Sequence, residues 1–512
     1  MIKHLLGSFL ILSTCCTSSA QPDPAKSSDS TANQYFRQEA HPSIHPVTAT
    51  VESGLTSTSE RHVPFWMRAN QFGNVPLAGN SGYIVLRSTK AYTPKRKLTD
   101  WGYAFEGRAN TGVRDQFILT EAYVKGKLGV LEFRAGRSRQ ISGLTDSTLS
   151  SGSFAVSGNA LGIPKLEIAM PDYSNLHILG QFIAVKGNLA HGWLGTMAVN
   201  QIREKLNPAK TYFHQKSLYI RLGRSTGRVR LYGGFNHQVF WGNERIVYGQ
   251  RFRVSVFDSY YYVFTGKTME AKINGFEKGK MGNHLGSVDM GGDVRIGRTR
   301  IFVYRQNFYD VGALAKLANI KDGLNGFSIT NLSTDNRTFQ WKKILVEFLY
   351  TKSQAGELNA RYTKSGDENY YNGFYKEGWS YKGVGLGTPF ISTVKTTRRN
   401  LPNDPRDYFN NNRVAMLHLA TEVKVAGFLV QGRLSCSENF GTYGTSPDGH
   451  SRGKIRRQSY GLFPVSRQLS GALDLKKKVK ENTELACVVA FDRGQLLRNA
   501  VGATFGIKKV IR

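Results

Sequence analysis

Apolar and polar residues alternate along many short segments of this 512-residue chain. In one segment Leu218, Ile220 and Leu222 share a face, while Tyr219 and Arg221 take the other. Successive side chains of a strand point to opposite faces, so period two predicts β-strands with one apolar face. Apolar positions of this kind recur at Leu131, Phe133 and Ala135; Val229, Leu231 and Phe235; Leu417, Leu419, Val423 and Val425; Phe428, Val430 and Leu434; Leu485, Val489 and Phe491; and Val501, Ala503, Phe505 and Ile507.

The connections between these segments alternate between short and very long. A soluble β-sandwich also shows period two. The pattern persists almost to the C-terminus, however, and the polar face is charged and bulky, as is typical of outer-membrane barrels. We therefore predict an all-β fold, a large antiparallel transmembrane β-barrel over residues 46–512. The Ser- and Gly-rich stretch Ser142–Pro164 and a short helix at Val311–Asn319 are predicted to plug or cap the lumen.

The N-terminus has the layout of a secretory signal peptide. Lys3 and His4 precede the apolar stretch Leu5–Leu12, and small residues follow at Ser18–Ala20. That stretch is shorter than the roughly 20 apolar residues of a spanning helix. A lipoprotein signal is the alternative, but Thr14 fits poorly before Cys15. We predict a signal peptide at residues 1–20 and a flexible leader at residues 21–45.

The amino-acid composition indicates which class of partner this protein binds. The formal net charge is +32, which favours an anionic partner. Export and the absence of a compact basic cluster argue against nucleic acid. Lipopolysaccharide or an acidic surface polysaccharide fits the compartment better. The 24 Tyr and 29 Phe are enough to form aromatic girdles, and a mean hydropathy of −0.35 suits a barrel in which only alternate residues face lipid.

Two sets of residues are candidates for binding an acidic glycan. Arginine offers a planar fork for carboxylates, and aromatic rings pack against sugar faces. Arginines on the polar phase of predicted strands are expected to line the lumen: Arg134, Arg221, Arg228, Arg230 and Arg433. Their alternative role is to pair with lumen carboxylates such as Glu132 and Asp492. The aromatic candidates are Trp241, Tyr370, Tyr371, Trp379 and Tyr381, with an interfacial girdle or a packed loop as the alternative.

No catalytic or metal-binding constellation emerges from the sequence. Asp367 and Glu368 are adjacent, so on a strand they would point to opposite faces and could not share one bond. Ser157 lacks the nucleophile-elbow motif, and no histidine pair has H-E-x-x-H spacing. Cys436 and Cys487 fall on apolar faces and are predicted to be small apolar residues rather than a bridge. We predict no enzyme and no cofactor.

An ordered series of segments resembles the Wzi-type capsule assembly family, in its Bacteroidetes-like branch. The segments that carry the resemblance are Pro64–Gly73, Ser151–Lys165, Asn236–Glu244, Tyr304–Asp310, Lys321–Leu324, Asp367–Tyr381, Gly387–Pro389 and Ser437–Tyr443. The resemblance implies an outer-membrane barrel of about 18 strands. It also implies a lectin-like role without catalysis, in which the barrel binds surface polysaccharide for capsule assembly or attachment. The resemblance does not identify individual ligand-binding residues in this chain.

Two other functions stay open from the sequence. The first is a porin-like diffusion channel with a basic lumen. The second is a barrel enzyme acting on lipid or glycan, which the missing motifs disfavour. Long Gly- and Ser-rich connections that could close the barrel favour polysaccharide binding, and an open lumen would favour the channel.

Overall fold

A computed structural model describes most of the chain between Val47 and Ile511. The described residues are 47–93, 97–113, 115–176, 179–200, 206–242, 244, 246, 254–269, 279–310, 312–335, 337–356, 368–373, 375–447, 450–451, 454–455 and 460–511. The predicted signal peptide and leader, residues 1–20 and 21–45, lie outside this range.

Eighteen antiparallel strands form one closed sheet. Their bounds are β1 (Val47–Thr58), β2 (Ser81–Lys90), β3 (Thr99–Gly112), β4 (Gln116–Leu128), β5 (Leu131–Arg137), β6 (Lys165–Asn175), β7 (Ile183–Asn200), β8 (Leu206–Leu222), β9 (Val229–Trp241), β10 (Asn283–Ile296), β11 (Thr299–Asp310), β12 (Gly323–Asn331), β13 (Phe339–Tyr350), β14 (Val414–Val425), β15 (Phe428–Asn439), β16 (Ser466–Lys480), β17 (Thr483–Gly494) and β18 (Ala500–Val510).

The first and last strands close the sheet into a barrel. Gly54 of β1 lies opposite Tyr83 of β2 on one side and opposite Gly506 of β18 on the other. A spanning sheet must close in this way because lipid offers no hydrogen-bond partner to a free edge. The predicted fold class and the strand number implied by the resemblance are both confirmed.

The apolar phase of each strand faces outward. Leu419, in the middle of β14, is 44% exposed, while its neighbour His418 is fully buried. The same holds for Leu218, Leu231, Phe491 and Phe505, all predicted on apolar faces and all exposed. Cys436 and Cys487 also lie on this outer face and are free thiols. Outward apolar side chains on strands that alternate with buried polar ones form a lipid-facing wall.

The connections assign the two ends of the barrel. Short turns at residues 129–130, 297–298, 426–427 and 481–482 lie at the end that also holds the first and last residues of the sheet. Long connections at residues 59–80, 138–164, 242–282, 351–413 and 440–465 lie at the opposite end. Outer-membrane barrels have short periplasmic turns and long extracellular loops, so the long connections are extracellular.

Helices with bounds in the described part of the chain are few. The α-helices among them are α1 (Phe65–Arg68) and α2 (Val256–Thr265), and short 3₁₀ helices cover Leu179–Gln181, Ala313–Lys316 and Tyr443–Thr445. Two-stranded ribbons pair Thr268–Met269 with Gly279–Lys280, Ser380–Tyr381 with Val384–Gly385, Ser392–Thr393 with Phe409–Asn411, and His450–Ser451 with Lys454–Ile455. The helix predicted at Val311–Asn319 is the 3₁₀ turn Ala313–Lys316. None of the helices in the described ranges has the length and apolarity needed to cross a membrane.

The main apolar core lies inside the barrel rather than between sheets. Three extracellular connections, residues 59–80, 138–164 and 368–413, fold into the lumen and pack on each other. Phe72 donates its N–H to the Gly158 carbonyl at 2.7 Å, and Ser157 donates to the Leu386 carbonyl at 2.9 Å. We call these three segments the plug. The predicted plugging role of Ser142–Pro164 is confirmed.

A charge placed on the lipid face should weaken the barrel. We expect Leu419→Arg to destabilise it by about 2–4 kcal/mol, because an arginine near the bilayer midplane loses its hydration. The measurement is urea unfolding in lipid vesicles. Glu481→Arg, in an exposed periplasmic turn, is the control and should leave the unfolding midpoint unchanged. Equal midpoints for Leu419→Arg and wild type would contradict the lipid-facing assignment.

Candidate functional site

The plug is held to the barrel wall by buried carboxylates. Asp289 of β10 accepts a hydrogen bond from the Leu144 N–H at 2.7 Å, and Glu347 of β13 accepts one from the Ser151 N–H at 2.6 Å. The Ser150 hydroxyl also donates to Glu347, at 2.7 Å. Each acceptor is ionisable and buried, and hydrogen bonds to a carboxylate are stronger than those between neutral groups. The wall therefore fixes the position of the plug backbone.

An ion pair adds to this attachment. Lys343 of β13 lies 2.7 Å from Asp146 of the plug. Burial by itself would raise the pKa of Asp146, but the Lys343 ammonium and the N–H groups of Thr148 and Leu149 lower it overall. Asp146 is therefore ionised at neutral pH, and the pair persists there.

The predicted aromatic residues of the long connection are packed inside the plug. Tyr370, Tyr371 and Trp379 are completely buried. Trp379 stacks on Phe240 with ring centroids 4.1 Å apart and donates its indole N–H to the Ala155 carbonyl at 2.9 Å. This arrangement matches the packed-loop alternative. Tyr381 is also buried, and its hydroxyl accepts a hydrogen bond from Arg137 at 3.0 Å.

Carboxylates in the same part of the plug fix the 368–372 segment. Glu368 accepts hydrogen bonds from the N–H groups of Gly312 at 3.2 Å and Ala313 at 2.8 Å. Tyr370 donates its hydroxyl to Asp322 at 2.8 Å. The other carboxylate considered for chemistry, Asp367, lies outside the described residues. Glu368 therefore has a structural role as a cap on the 3₁₀ turn.

Four of the five predicted arginines face the lumen and have polar partners there. Arg134 pairs with Glu132 and, at 3.7 Å, with Glu167. Arg230 pairs with Asp293 at 3.0 Å, and Arg433 pairs with Asp474. Arg221 donates to the Asn175 side chain at 2.7 Å. Pairing with lumen carboxylates was the alternative for these arginines, and it holds for Arg134, Arg230 and Arg433.

Arg228 requires a correction. Strand β9 begins at Val229, so Arg228 lies in the periplasmic turn, where its side chain is exposed. Alternation would put Arg228 on the lumen-facing side together with Arg230. The strand begins only after Arg228, however, so the side chain of Arg228 does not enter the lumen. Asp492, the other suggested partner of a lumen arginine, accepts the Phe65 N–H at 2.8 Å and so holds α1 of the plug.

Trp241 lies on the outer side of the wall. Its ring packs against Tyr212, with centroids 5.3 Å apart, and against Tyr260 of α2 at 5.6 Å. The candidate residues therefore fall into separate regions: four arginines lie in the lumen on different strands, Tyr370, Tyr371, Trp379 and Tyr381 lie in the plug, and Trp241 lies under an external helix. They do not form one site.

The extracellular surface carries a basic cluster that sequence reasoning missed. Lys382, Lys395, Arg399 and Arg406 are exposed on the loop that forms the outer part of the plug. Tyr408 is half-buried in the same loop, with the Lys395 ammonium 5.8 Å from its ring centroid. We call these residues the extracellular patch. Their signal in the sequence is the density of basic residues within the longest connection, which becomes meaningful only once that connection is placed on the outer surface.

The extracellular patch is rich in exposed cations, and hydrogen bonds and an ion pair hold the loop that carries them. Burial raises the pKa of Tyr408 to about 12, with a further contribution from Glu377, so the phenol stays neutral. Its hydroxyl donates to the Gly383 carbonyl at 2.8 Å, which ties the Lys382 turn to the Tyr408 strand. Arg406 pairs with buried Asp404 at 2.8 Å. The part of the chain described by the structure holds no cluster of three or more His, Cys, Asp or Glu suited to a metal ion.

Comparison with known families identifies the relationship. A sequence model described as "Capsule assembly protein Wzi" matches residues 29–399. The chain belongs to the Wzi capsule assembly family. The match covers all but the last of the motifs that carry the resemblance, and it places this barrel in the bacterial outer membrane. No curated protein matches the sequence.

Solved structures share the barrel fold. Wzi of Escherichia coli, described as an outer-membrane, carbohydrate-binding β-barrel involved in group 1 capsule assembly, aligns with a TM-score of 0.52 at 13% identity, over 90% of this chain and 83% of that one. Pseudomonas aeruginosa OccD3 aligns at 0.44 with 11% identity, over 91% of each chain. Pseudomonas aeruginosa OccK5 aligns at 0.44 with 9% identity, over 91% of this chain and 97% of that one. At these identities, the similarity to Wzi is one of fold.

Lowering the pH should stabilise the plug around Glu368 against local opening. Burial raises the pKa of Glu368 to about 7 and that of Asp322 to about 6, although backbone N–H donors oppose both shifts. A carboxyl whose folded-state pKa is raised favours folding below its ordinary pKa, and this contribution is lost as pH rises through the folded value. We expect amide-exchange protection at Tyr370–Asn372 to rise by roughly tenfold between pH 8 and pH 5.

Hydrogen–deuterium exchange mass spectrometry, corrected for intrinsic rates, measures this effect. The Glu368→Gln variant should lose much of the pH dependence, because the amide stays neutral throughout the range. Protection that falls as the pH is lowered would contradict the assignment.

Proposed function

We propose that this protein is a non-enzymatic, lectin-like barrel that binds an anionic surface polysaccharide and supports capsule or exopolysaccharide assembly or attachment. The observation that carries the proposal is the extracellular patch, a cation-rich surface on the rigid plug of a Wzi-family barrel. The carbohydrate binding named for Wzi of Escherichia coli supports the same ligand class.

The chemistry of the extracellular patch suits an acidic sugar chain. Lysine and arginine attract carboxylates, and arginine can bind one through two parallel hydrogen bonds. The face of Tyr408 offers an apolar surface to a sugar ring. The formal charge of +32 supports long-range attraction of a polyanion to the cell-surface end of the barrel. Affinity would then come from several exposed contacts rather than from one deep pocket.

The other candidate residues have distinct parts in this proposal. Arg134, Arg221, Arg230 and Arg433 contribute to the field of the lumen, where each already has a polar partner. Tyr370, Tyr371 and Trp379 hold the loop that carries the extracellular patch, and Tyr381 does so together with Arg137. Their direct contact with glycan, and that of Arg228 and Trp241, stays a prediction.

The remaining partners follow from the membrane setting. Outer-membrane lipid and lipopolysaccharide would surround the apolar outer wall, and barrel-assembly machinery would insert the chain after export. We propose no role for nucleic acid, because the basic surface faces the cell exterior.

A channel function is less well supported than polysaccharide binding. The three plug segments meet in the lumen through buried aromatic contacts, such as Phe65 with Phe390 at 4.9 Å and Phe154 with Tyr371 at 5.3 Å between ring centroids. We therefore expect the purified protein to give no steady porin-like conductance in planar bilayers. A stable ohmic conductance that saturates with an anionic solute would favour the channel over the proposal.

Neutralising the extracellular patch should release polysaccharide from the cell. We expect the combined Lys382→Gln, Lys395→Gln, Arg399→Gln and Arg406→Gln variant to lower affinity for an acidic polysaccharide by about tenfold, since each exposed ion pair contributes roughly 0.2–1 kcal/mol. The measurement compares cell-attached with shed polysaccharide in a strain complemented with the variant.

Arg224→Gln is the matched control, because it removes an exposed charge from the periplasmic turn between β8 and β9. The combined variant must reach the outer membrane at wild-type level for the comparison to hold. Attachment that is unchanged in the combined variant would overturn the role of the extracellular patch. Attachment that is also unchanged after deletion of the whole gene would overturn the proposed function.

A further inference from the structure

The barrel wall is shortest where β5 meets β6. These two strands pair over only five residues, Glu132–Gly136 of β5. At about 3.3 Å per residue, five pairs cover roughly 16 Å along the strands. The apolar band of an outer-membrane barrel is about 25 Å tall. The paired length of β5 and β6 is therefore shorter than the apolar band of the wall. We call this junction between β5 and β6 the seam.

The strands on either side of the seam continue toward the cell exterior. Residues 116–121 of β4 pair with β3, and residues 193–200 of β7 pair with β8, but in the described registers neither stretch pairs with β5 or β6. The connection 138–164 leaves the wall at this point and enters the lumen as part of the plug. The shortened strands are thus the local consequence of building the plug from this connection.

Side chains and plug backbone fill the upper part of the seam. Arg137, the last residue of β5, donates to the Leu119 carbonyl of β4 at 2.8 Å and to the Tyr381 hydroxyl of the plug at 3.0 Å. Among the described residues, its buried Nε–H has no hydrogen-bond partner. On the other side, Trp193 of β7 donates its N–H to the Pro164 carbonyl at 3.0 Å. A guanidinium therefore lies in the wall itself, at the level where the strands stop.

An apolar groove runs along the outer wall next to the seam. Its volume is about 730 Å³, and its lining includes Phe133, Ala135, Leu166, Leu189 and Tyr260. The first four belong to β5, β6 and β7, and Tyr260 belongs to α2. The groove thus lies between the lipid-facing wall and an external helix.

The wall itself holds α2 in this position. Lys216 of β8 donates to the Phe264 carbonyl and Lys280 donates to the Gly266 carbonyl, so two lysines bind the C-terminal end of the helix. Tyr260 packs on Trp241. On the far side Phe257 is 90% exposed, which is expected of a residue that faces lipid. The groove extends from Trp101, near the periplasmic end of β3, to Tyr260 of α2. Since α2 comes from an extracellular connection, the α2 end of the groove faces the outer leaflet.

We propose that the seam binds one phosphorylated glycolipid of the outer leaflet, with an acyl chain in the groove and its phosphorylated sugar head at Arg137 and Lys382. The groove has the apolar lining that an acyl chain requires. Arg137 lies two residues beyond the groove-lining Ala135 on the same strand, so it supplies a cation just beyond the groove on its extracellular side. Exposed Lys382 adds a second cation, 5.9 Å from the ring centroid of Tyr381, which Arg137 also contacts.

This inference depends on the outer-membrane position of the barrel and not on polysaccharide retention. A bound glycolipid would cover the outer wall beside the seam. It would also place an anionic sugar head beside the plug loop that carries the extracellular patch.

Native mass spectrometry of the full chain in detergent tests the proposal, with bis-phosphorylated lipid A as the probe and phosphatidylglycerol as the competitor. We expect the wild-type chain to retain one lipid A that phosphatidylglycerol does not displace. Ala135→Trp fills the groove and Arg137→Gln removes the cation, so each should lower the retained fraction at least fivefold. Ala503→Trp, the same substitution on the outer face of β18, should retain lipid A normally.

Several outcomes would overturn the proposal. Equal retention by wild type, Ala135→Trp and Arg137→Gln would show a non-specific lipid shell, as would displacement by phosphatidylglycerol. A lipid-free dimer that Ala135→Trp dissociates would make the groove an interface between two copies of the chain. Circular dichroism and heat-modifiable gel mobility verify that each variant is folded. Normal cell-attached polysaccharide in a variant that loses lipid A would leave the proposed function intact, so the two failures are distinguishable.

Discussion

The need to satisfy every backbone hydrogen bond within lipid is the constraint on which this structure depends. It requires β1 to pair with both β2 and β18, because an open edge would leave N–H and C=O groups without partners in a medium that offers none. Closure in turn gives each strand an apolar outer face and a polar inner face. The lumen, the plug and the extracellular surface are all built within that enclosed polar space.

The plug shows how the same constraint is met away from the sheet. Its backbone is irregular, and such backbone is tolerated at membrane depth only when protein groups satisfy it. Asp289 and Glu347 do this from the wall, accepting the N–H groups of Leu144 and Ser151. The wall strands β5 and β6 are short where their connection turns inward. A filled lumen and an incomplete stretch of wall therefore have one structural cause.

Charged groups are arranged differently in the lumen and on the extracellular surface. Lumen arginines have local partners, as Arg230 and Arg300 have in their shared partner Asp293. On the extracellular surface, by contrast, Lys382, Lys395 and Arg399 are exposed on the plug loop. Buried ion pairs need close partners, whereas exposed cations are free to attract a polyanion from solution. This division favours ligand contact at the surface over contact inside the barrel.

The sequence by itself determined the barrel class and the direction of its faces, because period two is a local property of each strand. Leu419 and Phe505 could be assigned to the apolar phase from their neighbours alone, and the order of the motifs indicated the family. The partner of Arg230, the burial of Trp379 and the exposure of Arg228 were decided only by the tertiary structure. Each depends on which distant segment packs against it or on where a strand ends, as when residues 138–164 enter the lumen. The seam likewise joins residues far apart in the chain, as Arg137 and Tyr381 are, and no local pattern records such contacts. The extracellular patch lies within one connection, but only the tertiary structure places that connection on the outer surface.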